Sequence, residues 1–221
     1  MNLLEKGGLI VLDGGEGCGK STLESSLKEL YRDKIVVTRE PGGSHYAEEI
    51  RKIILESPNA KQANADTMFH LFWAARADHL KNIIIPAVQA GKIVICGRFD
   101  SSTFAYQIVA QGAKYLEELF WRTREHILKG GKYEPDVYVY LDLDPEIGLA
   151  RKKIGDCEKN HFDERELKFH QDLRTGFKQF FAQKNYPINR LGKTSTSIII
   201  DANQSKEKVF EDFNKILLVS I

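Results

Sequence analysis

The chain has 221 residues, with 32 Lys plus Arg against 31 Asp plus Glu, a balance that removes the overall basic field of a dedicated nucleic-acid binder. Three widely spaced cysteines, Cys18, Cys96 and Cys157, exclude a disulfide framework or a Cys-x-x-Cys metal site, and no apolar run approaches the roughly 18 residues of a membrane helix. No Pro/Gly/Ser-rich linker or low-complexity segment divides the chain, so one domain over residues 1–221, soluble and cytoplasmic with reduced thiols, is expected.

The first apolar, β-branched run, Leu9 to Asp13, is predicted as a strand. It leads into "GGEGCGKS", Gly14 to Ser21, which satisfies G-x-x-x-x-G-K-[ST] just before a predicted helix, Lys20 to Tyr31. Glycines let backbone N–H groups turn onto phosphate oxygens, and the helix N-terminus adds partial positive charge. Gly14, Gly15, Glu16, Gly17, Cys18, Gly19, Lys20, Ser21 and Thr22 are therefore predicted to bind a nucleoside triphosphate, with Lys20 bridging the outer phosphates and Ser21 holding Mg²⁺. Glu16 is a carboxylate where phosphates are also negative. It is expected to face an acceptor hydroxyl or a cation, a solvated loop charge being the alternative.

A second strand, Lys34 to Thr38, is followed by Arg39 and by a helix from Tyr46 to Glu56, whose Ala47, Ile50, Ile53 and Ile54 fall at 3-4 spacing. The next helix, about Asp66 to Ala90, is expected to kink or break near Pro86. Within it Phe72 and Arg76 lie at i, i+4, so ring and guanidinium share a face suited to stack a base and read its edge, unless that face is plain core. The third strand, Lys92 to Gly97, ends on Arg98. Arg39 and Arg98, both at strand ends, are suited to clamp an anionic substrate, because guanidinium grips phosphate bidentately. Then follow a helix from Leu116 to Leu128, a strand from Asp136 to Leu143, helices Pro145 to Lys153 and Glu164 to Gln183, a strand from Ser197 to Asp201, and a helix from Lys206 to Leu218. Asp144-Pro145 is a start signal, since aspartate caps a helix and proline suits its first turn. Continuously apolar strands alternating with helices predict an α/β, doubly wound five-stranded parallel sheet flanked by helices, with ligands beyond the carboxyl ends of the strands.

"GGEGCGKST", "TREPGG", "FWAAR", "RFDSSTFAYQ" and "PDVYVYLDLDPEIGLAR" resemble, in their order and spacing, the thymidylate kinases, which are P-loop nucleoside monophosphate kinases, and the likeness runs from about residue 8 to the end. The resemblance implies an ATP- and Mg²⁺-dependent enzyme that phosphorylates dTMP to dTDP, commonly as a homodimer through helices like Asp66 to Ala90. By the same resemblance Phe72 stacks on thymine, Arg76 hydrogen-bonds O4, Thr103 lies near N3, and Gln107 makes a neighbouring base contact. Tyr106 stands beside C2′, Arg98 binds the acceptor phosphate with Arg51 and Arg39 nearby, and Glu16 approaches the 3′-hydroxyl. Thr103, Tyr106 and Gln107 are expected in the loop after the third strand.

Three departures from the family pattern bear on mechanism. Gly97-Arg98 stands where Asp-Arg is usual, which leaves Asp13 or Glu16 to organise the Mg²⁺ beside Ser21, or alters metal use. The phosphate loop carries no arginine, so a lid-arginine type is implied: the catalytic cations would be Lys20 and Arg98 joined by Arg151, or by Lys153 and Lys152, from a lid segment at about 151–164, a solvated helix end being the alternative. Asn160-His161-Phe162-Asp163 stands where Asp-Arg-hydrophobic-Glu is usual, so an expected lid arginine is a histidine, and lysine supplies a point charge rather than a fork. The alternatives are a deoxynucleoside monophosphate kinase of broader specificity and a catalytically impaired nucleotide-binding regulator. An ATPase that moves nucleic acid lacks support, for no basic run is interleaved with aromatics.

Overall fold

The structure, a computed structural model, describes residues 7–154, 161–162, 164–183 and 194–218. Five strands, β1 (Gly8–Gly14), β2 (Ile35–Arg39), β3 (Ile93–Gly97), β4 (Val137–Asp142) and β5 (Thr196–Asp201), pair in parallel in the order β2-β3-β1-β4-β5. The helices are α1 (Lys20–Tyr31), α2 (His45–Glu56), α3 (Ala65–His79), α4 (Ile85–Gln89), α5 (Asp100–Thr103), α6 (Glu117–Ile127), α7 (Pro145–Ile154), α8 (Leu167–Phe181) and α9 (Lys206–Leu218). Among the described residues no helix is long and apolar enough to cross a membrane. Cys18 and Cys96 are free and buried, and Cys157 lies outside the described residues.

Successive side chains of a strand point to opposite faces, and both faces here are covered. Leu9 and Val11 pack with Phe69, Trp73 and Phe120 from α3 and α6, while Ile10 and Leu12 pack with Leu23, Leu27 and Phe213 from α1 and α9. That double burial is why the strand sequences are apolar throughout rather than alternating. All five strands appear within a residue or two of their expected bounds. At the start of α7, Asp144 Oδ1 accepts from the Glu146 amide at 3.0 Å, as an aspartate cap before proline should.

The long helix expected over Asp66 to Ala90 is broken. α3 gives way to a π-helical turn, Leu80–Ile84, and α4 then begins with Pro86 in its first turn. The wider turn carries the chain past the N–H that proline lacks.

One expectation needs correcting. The stretch after β3 is not a loop but α5, continued by a π-helical segment, Phe104–Ala110, in which Phe104 to Ile108 are buried. Asp100 anchors its start, accepting from Arg124 Nε at 2.6 Å and from the Tyr138 hydroxyl, while Arg124 also pairs with Glu134. Thr103, Tyr106 and Gln107 therefore stand on a helical segment packed closely against α8, not on a loop. Gly176 of α8 makes that packing possible: a Cβ there would lie 2.8 Å from Ala105 Cα and 3.0 Å from Val109 Cβ. Gly176→Ala is expected to destabilise the protein by about 1–3 kcal/mol, the scale of overpacking. Urea unfolding should show a lower midpoint with an unchanged slope.

Candidate active site

The phosphate loop leaves β1 at the point where the strand order reverses, with β3 on one side and β4 on the other. Gly17 (φ 67°) and Gly19 (φ 92°) take left-handed backbone that turns the loop into the N-terminus of α1. No side chain caps that terminus, so its N–H groups face the cleft. Lys20 Nζ donates to the Gly14 and Gly15 carbonyls at 2.7 and 3.0 Å.

The loop also touches α7 backbone to backbone. A Cβ on Gly17 would lie 2.1 Å from the Gly148 carbonyl oxygen, and one on Gly148 would lie 2.1 Å from that of Glu16. Two glycines thus let the first turns of α7 rest on the loop. One turn past Gly148, Lys152 is delivered to Glu16, with Nζ 2.8 Å from Oε2.

Glu16 gathers three partners. Besides Lys152, Arg98 Nη2 donates to Oε1 at 2.8 Å and the Tyr106 hydroxyl approaches the same oxygen at 3.3 Å. Burial works against the ionised carboxyl, but the charges of Arg98, Lys20 and Lys152 outweigh it and hold Glu16 well below the usual carboxylate range. Burial likewise opposes the Arg98 charge, and Tyr106, Glu16 and Asp13 more than offset it, so the guanidinium pKa is raised. Arg98 sits at φ 69°, a left-handed conformation that costs a non-glycine residue about 1–3 kcal/mol, at the end of the strand that aims its side chain into the cleft.

Beyond Glu16 a cavity is lined by Phe72, Arg76, Thr103, Tyr106, Gln107 and Arg51. Arg76, 1% exposed, donates from Nε to Glu40 Oε2 at 2.8 Å and from Nη2 to Thr103 Oγ1 at 3.1 Å. Glu40 is itself held by His79 Nδ1 at 3.1 Å, and the other ring nitrogen of His79 meets Thr38 Oγ1 at 2.7 Å. Among the described residues, Arg76 Nη1, Arg98 Nη1 and both amide atoms of Gln107 are buried without a hydrogen-bond partner. Each such group costs about 1–3 kcal/mol if nothing pairs with it, so this concentration in one cavity marks a polar ligand's place. Arg51 donates to the Pro41 carbonyl at 2.7 Å. Arg39 lies outside the cavity, exposed and paired with Glu48 at 3.2 Å, and lines the phosphate-loop cleft instead.

Of the remaining sequence-based assignments, Lys153, His161 and Asp13 land elsewhere than expected. Arg151 does line the phosphate-loop cleft beside Lys152, with its Nη1 donating to the Ala202 carbonyl at 3.0 Å, and it also borders an adjoining cavity of about 580 Å³ with Thr22, Gln204 and Phe210. Lys153 is exposed and lines neither that cavity nor the cleft. His161 is buried against α2, its Nε2 3.0 Å from the Ile54 carbonyl oxygen, while Phe162 packs edge-on to Tyr106 with ring centres 5.2 Å apart. Asp13 is wholly buried, its two carboxylate oxygens taken by the Ser101 and Ser102 hydroxyls; burial raises its pKa despite those bonds. The rest of the expected lid, residues 155–160 and 163 with Asn160 and Asp163 among them, lies outside the described residues. Glu24, which the sequence did not single out, lines the cleft beside Lys20 and Ser21. Burial raises its pKa in spite of Lys20, Arg98 and Arg39. The available signal was its spacing of three from Ser21, which sets both on one helix face.

A family model described as thymidylate kinase matches residues 12–213. The chain belongs to the thymidylate kinase family. The thymidylate kinase of Clostridium novyi (strain NT) is 38% identical over 213 residues, covering 95% of this chain and 97% of that protein. That of Aster yellows witches'-broom phytoplasma (strain AYWB) is 41% identical over 204 residues, covering 91% and 92%. That of Protochlamydia amoebophila (strain UWE25) is 37% identical over 217 residues, covering 93% and 90%.

Of the α7 cations among the described residues, Lys152 pairs with Glu16 of the loop, while Arg151 lines the cleft with its guanidinium on the Ala202 carbonyl. Lys153 points its charge to solvent. Lys152→Ala is expected to lower kcat about tenfold or more, the scale of a charge-assisted hydrogen bond, and Lys153→Ala to change it by no more than about twofold, as for an exposed charge. Steady-state kinetics at saturating substrates check the pair.

Proposed function

We propose that this chain transfers the γ-phosphoryl group of ATP to the 5′-phosphate of dTMP, yielding dTDP and ADP. The observation that carries this reading is the set of unpaired buried donors and acceptors on Arg76 and Gln107, together with Phe72, in a cavity adjoining the phosphate loop. Such a set suits a planar base that is stacked on one face and read along one edge.

Arg76 Nη1 offers thymine O4 a donor, with Thr103 and the Gln107 amide beside the base N3 edge. Phe72 supplies the stacking face. Arg98 Nη1 and Arg51 bind the acceptor phosphate, with Arg39 adding charge at the rim. Glu16 approaches the 3′-hydroxyl, and the Tyr106 ring crowds C2′, which disfavours a ribose. On the donor side the loop N–H groups from Gly14 to Thr22 and Lys20 hold the triphosphate, and the cavity beside Arg151 takes the adenine.

In the reaction an acceptor phosphate oxygen forms a bond to the γ-phosphorus as the bond from that phosphorus to the β–γ bridging oxygen breaks. Positioning and charge neutralisation dominate such transfers. Lys20, Arg98 and Lys152 surround the place of transfer and neutralise its charge. Ser21, at the first turn of α1 and facing the cleft, fits the hydroxyl that would hold Mg²⁺, and the ion would supply positive charge to the triphosphate. Asp13 does not fit a metal ligand here, because both its oxygens already accept from serines. The same reading carries one domain, a homodimer formed through the α3–α4 region, and a cytoplasmic location.

A coupled ADP-release assay over dTMP, dUMP, dCMP, dGMP and dAMP tests the acceptor: dTMP should have the highest kcat/KM, and comparable turnover of dCMP or dGMP would contradict the assignment. Arg76→Lys replaces a fork that serves Glu40, Thr103 and the base at once with a point charge. It is expected to raise KM for dTMP about tenfold or more while leaving KM for ATP within about twofold; an equal effect on both would mean that Arg76 only supports the fold.

A further inference from the structure

Glu24 lies on α1 three residues after Ser21 and four after Lys20, so all three side chains share the face turned to the phosphate-loop cleft. Across the cleft β3 ends at Gly97, which is buried. Its backbone does not call for glycine, since its φ is outside the left-handed region. What a side chain there would meet is Glu24: a Cβ built on Gly97 would lie 2.3 Å from Oε1, the far end of that flexible side chain. The Glu24 carboxylate therefore occupies the place in which a side chain at the end of β3 would stand.

The other carboxylates around the loop are engaged. Asp13 accepts from Ser101 and Ser102, Glu16 from Arg98 and Lys152, and Glu40 from Arg76 and His79. Among the described residues Glu24 has no hydrogen-bond donor of its own. P-loop enzymes hold Mg²⁺ with the loop Ser/Thr and a carboxylate from a neighbouring strand end, and Mg²⁺ takes one or two carboxylates with phosphates and waters completing its shell.

We propose that Glu24, seated over Gly97 and on the same helix face as Ser21, supplies the carboxylate for the Mg²⁺ that accompanies ATP. In this chain the metal-side acid has moved from the strand end to the helix, and Gly97 is the complement that makes room for it. Position 97 and position 24 thus share one place in the cleft, which an acid from either can fill. The inference rests on the donor half of the proposed function, the binding of ATP with its metal at the phosphate loop. It is independent of which acceptor is used.

The test is Mn²⁺ binding followed by electron paramagnetic resonance in the presence of AMPPNP, a non-hydrolysable ATP analogue, with no acceptor added. Glu24→Gln should weaken Mn²⁺ in that complex about tenfold or more while circular dichroism shows a folded protein and metal-free AMPPNP affinity is unchanged. Glu24→Ala combined with Gly97→Asp should bring Mn²⁺ affinity back toward the wild-type value, because the vacated space admits the new carboxylate. Wild-type Mn²⁺ affinity in Glu24→Gln would overturn the proposal, as would a folded double variant that binds the ion no better than Glu24→Ala alone. If the wild-type protein formed no Mn²⁺–AMPPNP complex, the donor reading itself would fall, and with it this inference.

Discussion

The structure turns on a carboxylate placed inside a loop made for anions. Glu16 is largely buried, and taking a carboxylate out of water costs several kcal/mol unless partners repay it. The repayment comes from separate parts of the chain: Arg98 from the end of β3, Lys152 from α7, and the Tyr106 hydroxyl from the π-helical segment after α5. Each partner is tied to the loop by a group that cannot easily be given up, so the loop, the sheet edge and the acceptor cavity hold one another in register. The Gly17–Gly148 contact is the steric half of the same constraint, since any side chain at either position would lift α7 away and carry Lys152 with it.

Around that centre the cleft divides by charge and by dryness. Cations collect where phosphates meet, with Lys20, Arg98 and Lys152 close together and Arg51 and Arg39 toward the rim. The far end is neutral and enclosed: the Arg76 charge is matched by Glu40, which is steadied in turn by His79 and Thr38. A guanidinium fixed this way is a rigid donor rather than a mobile charge, suited to reading a neutral base instead of attracting an anion. The same residue type thus stands in two electrostatic settings within one cleft.

Much of this was legible in the sequence, and what was not has physical causes. The strands declared themselves because both faces are buried, and α1 and α9 appear with their expected bounds because each has one apolar stripe. The segment from Asp100 to Ala110 hid because it is buried nearly all round: it shows no amphipathic period, and its polar residues, which suggested a loop, are spent on internal partners, Asp100 on Arg124 and both serines on Asp13. Cationic charge at 151–153 was visible, yet the choice of Lys152 over Lys153 depends on how closely α7 lies on the loop, which the charge pattern does not record. Glu24 carries no motif of its own, and its closeness to Gly97 comes from how α1 lies against the end of β3, which sequence spacing does not record. The placement of the phosphate loop, of Phe72 with Arg76 in one cavity and of Arg98 at the end of β3 follows from motif and spacing, because each is a local feature.

In the proposed function one cleft orients the acceptor between base-reading groups at one end and the Glu16 cluster at the other. The most direct measurement is a crystal structure with dTMP and AMPPNP bound together. Thymine should stack on Phe72 with O4 within hydrogen-bond distance of Arg76 Nη1, the Gln107 amide should pair with the base, the acceptor phosphate should lie on Arg98, and Lys152 should face the γ-phosphate. A thymine bound away from Arg76 and Gln107, or an acceptor phosphate that does not touch Arg98, would contradict that arrangement.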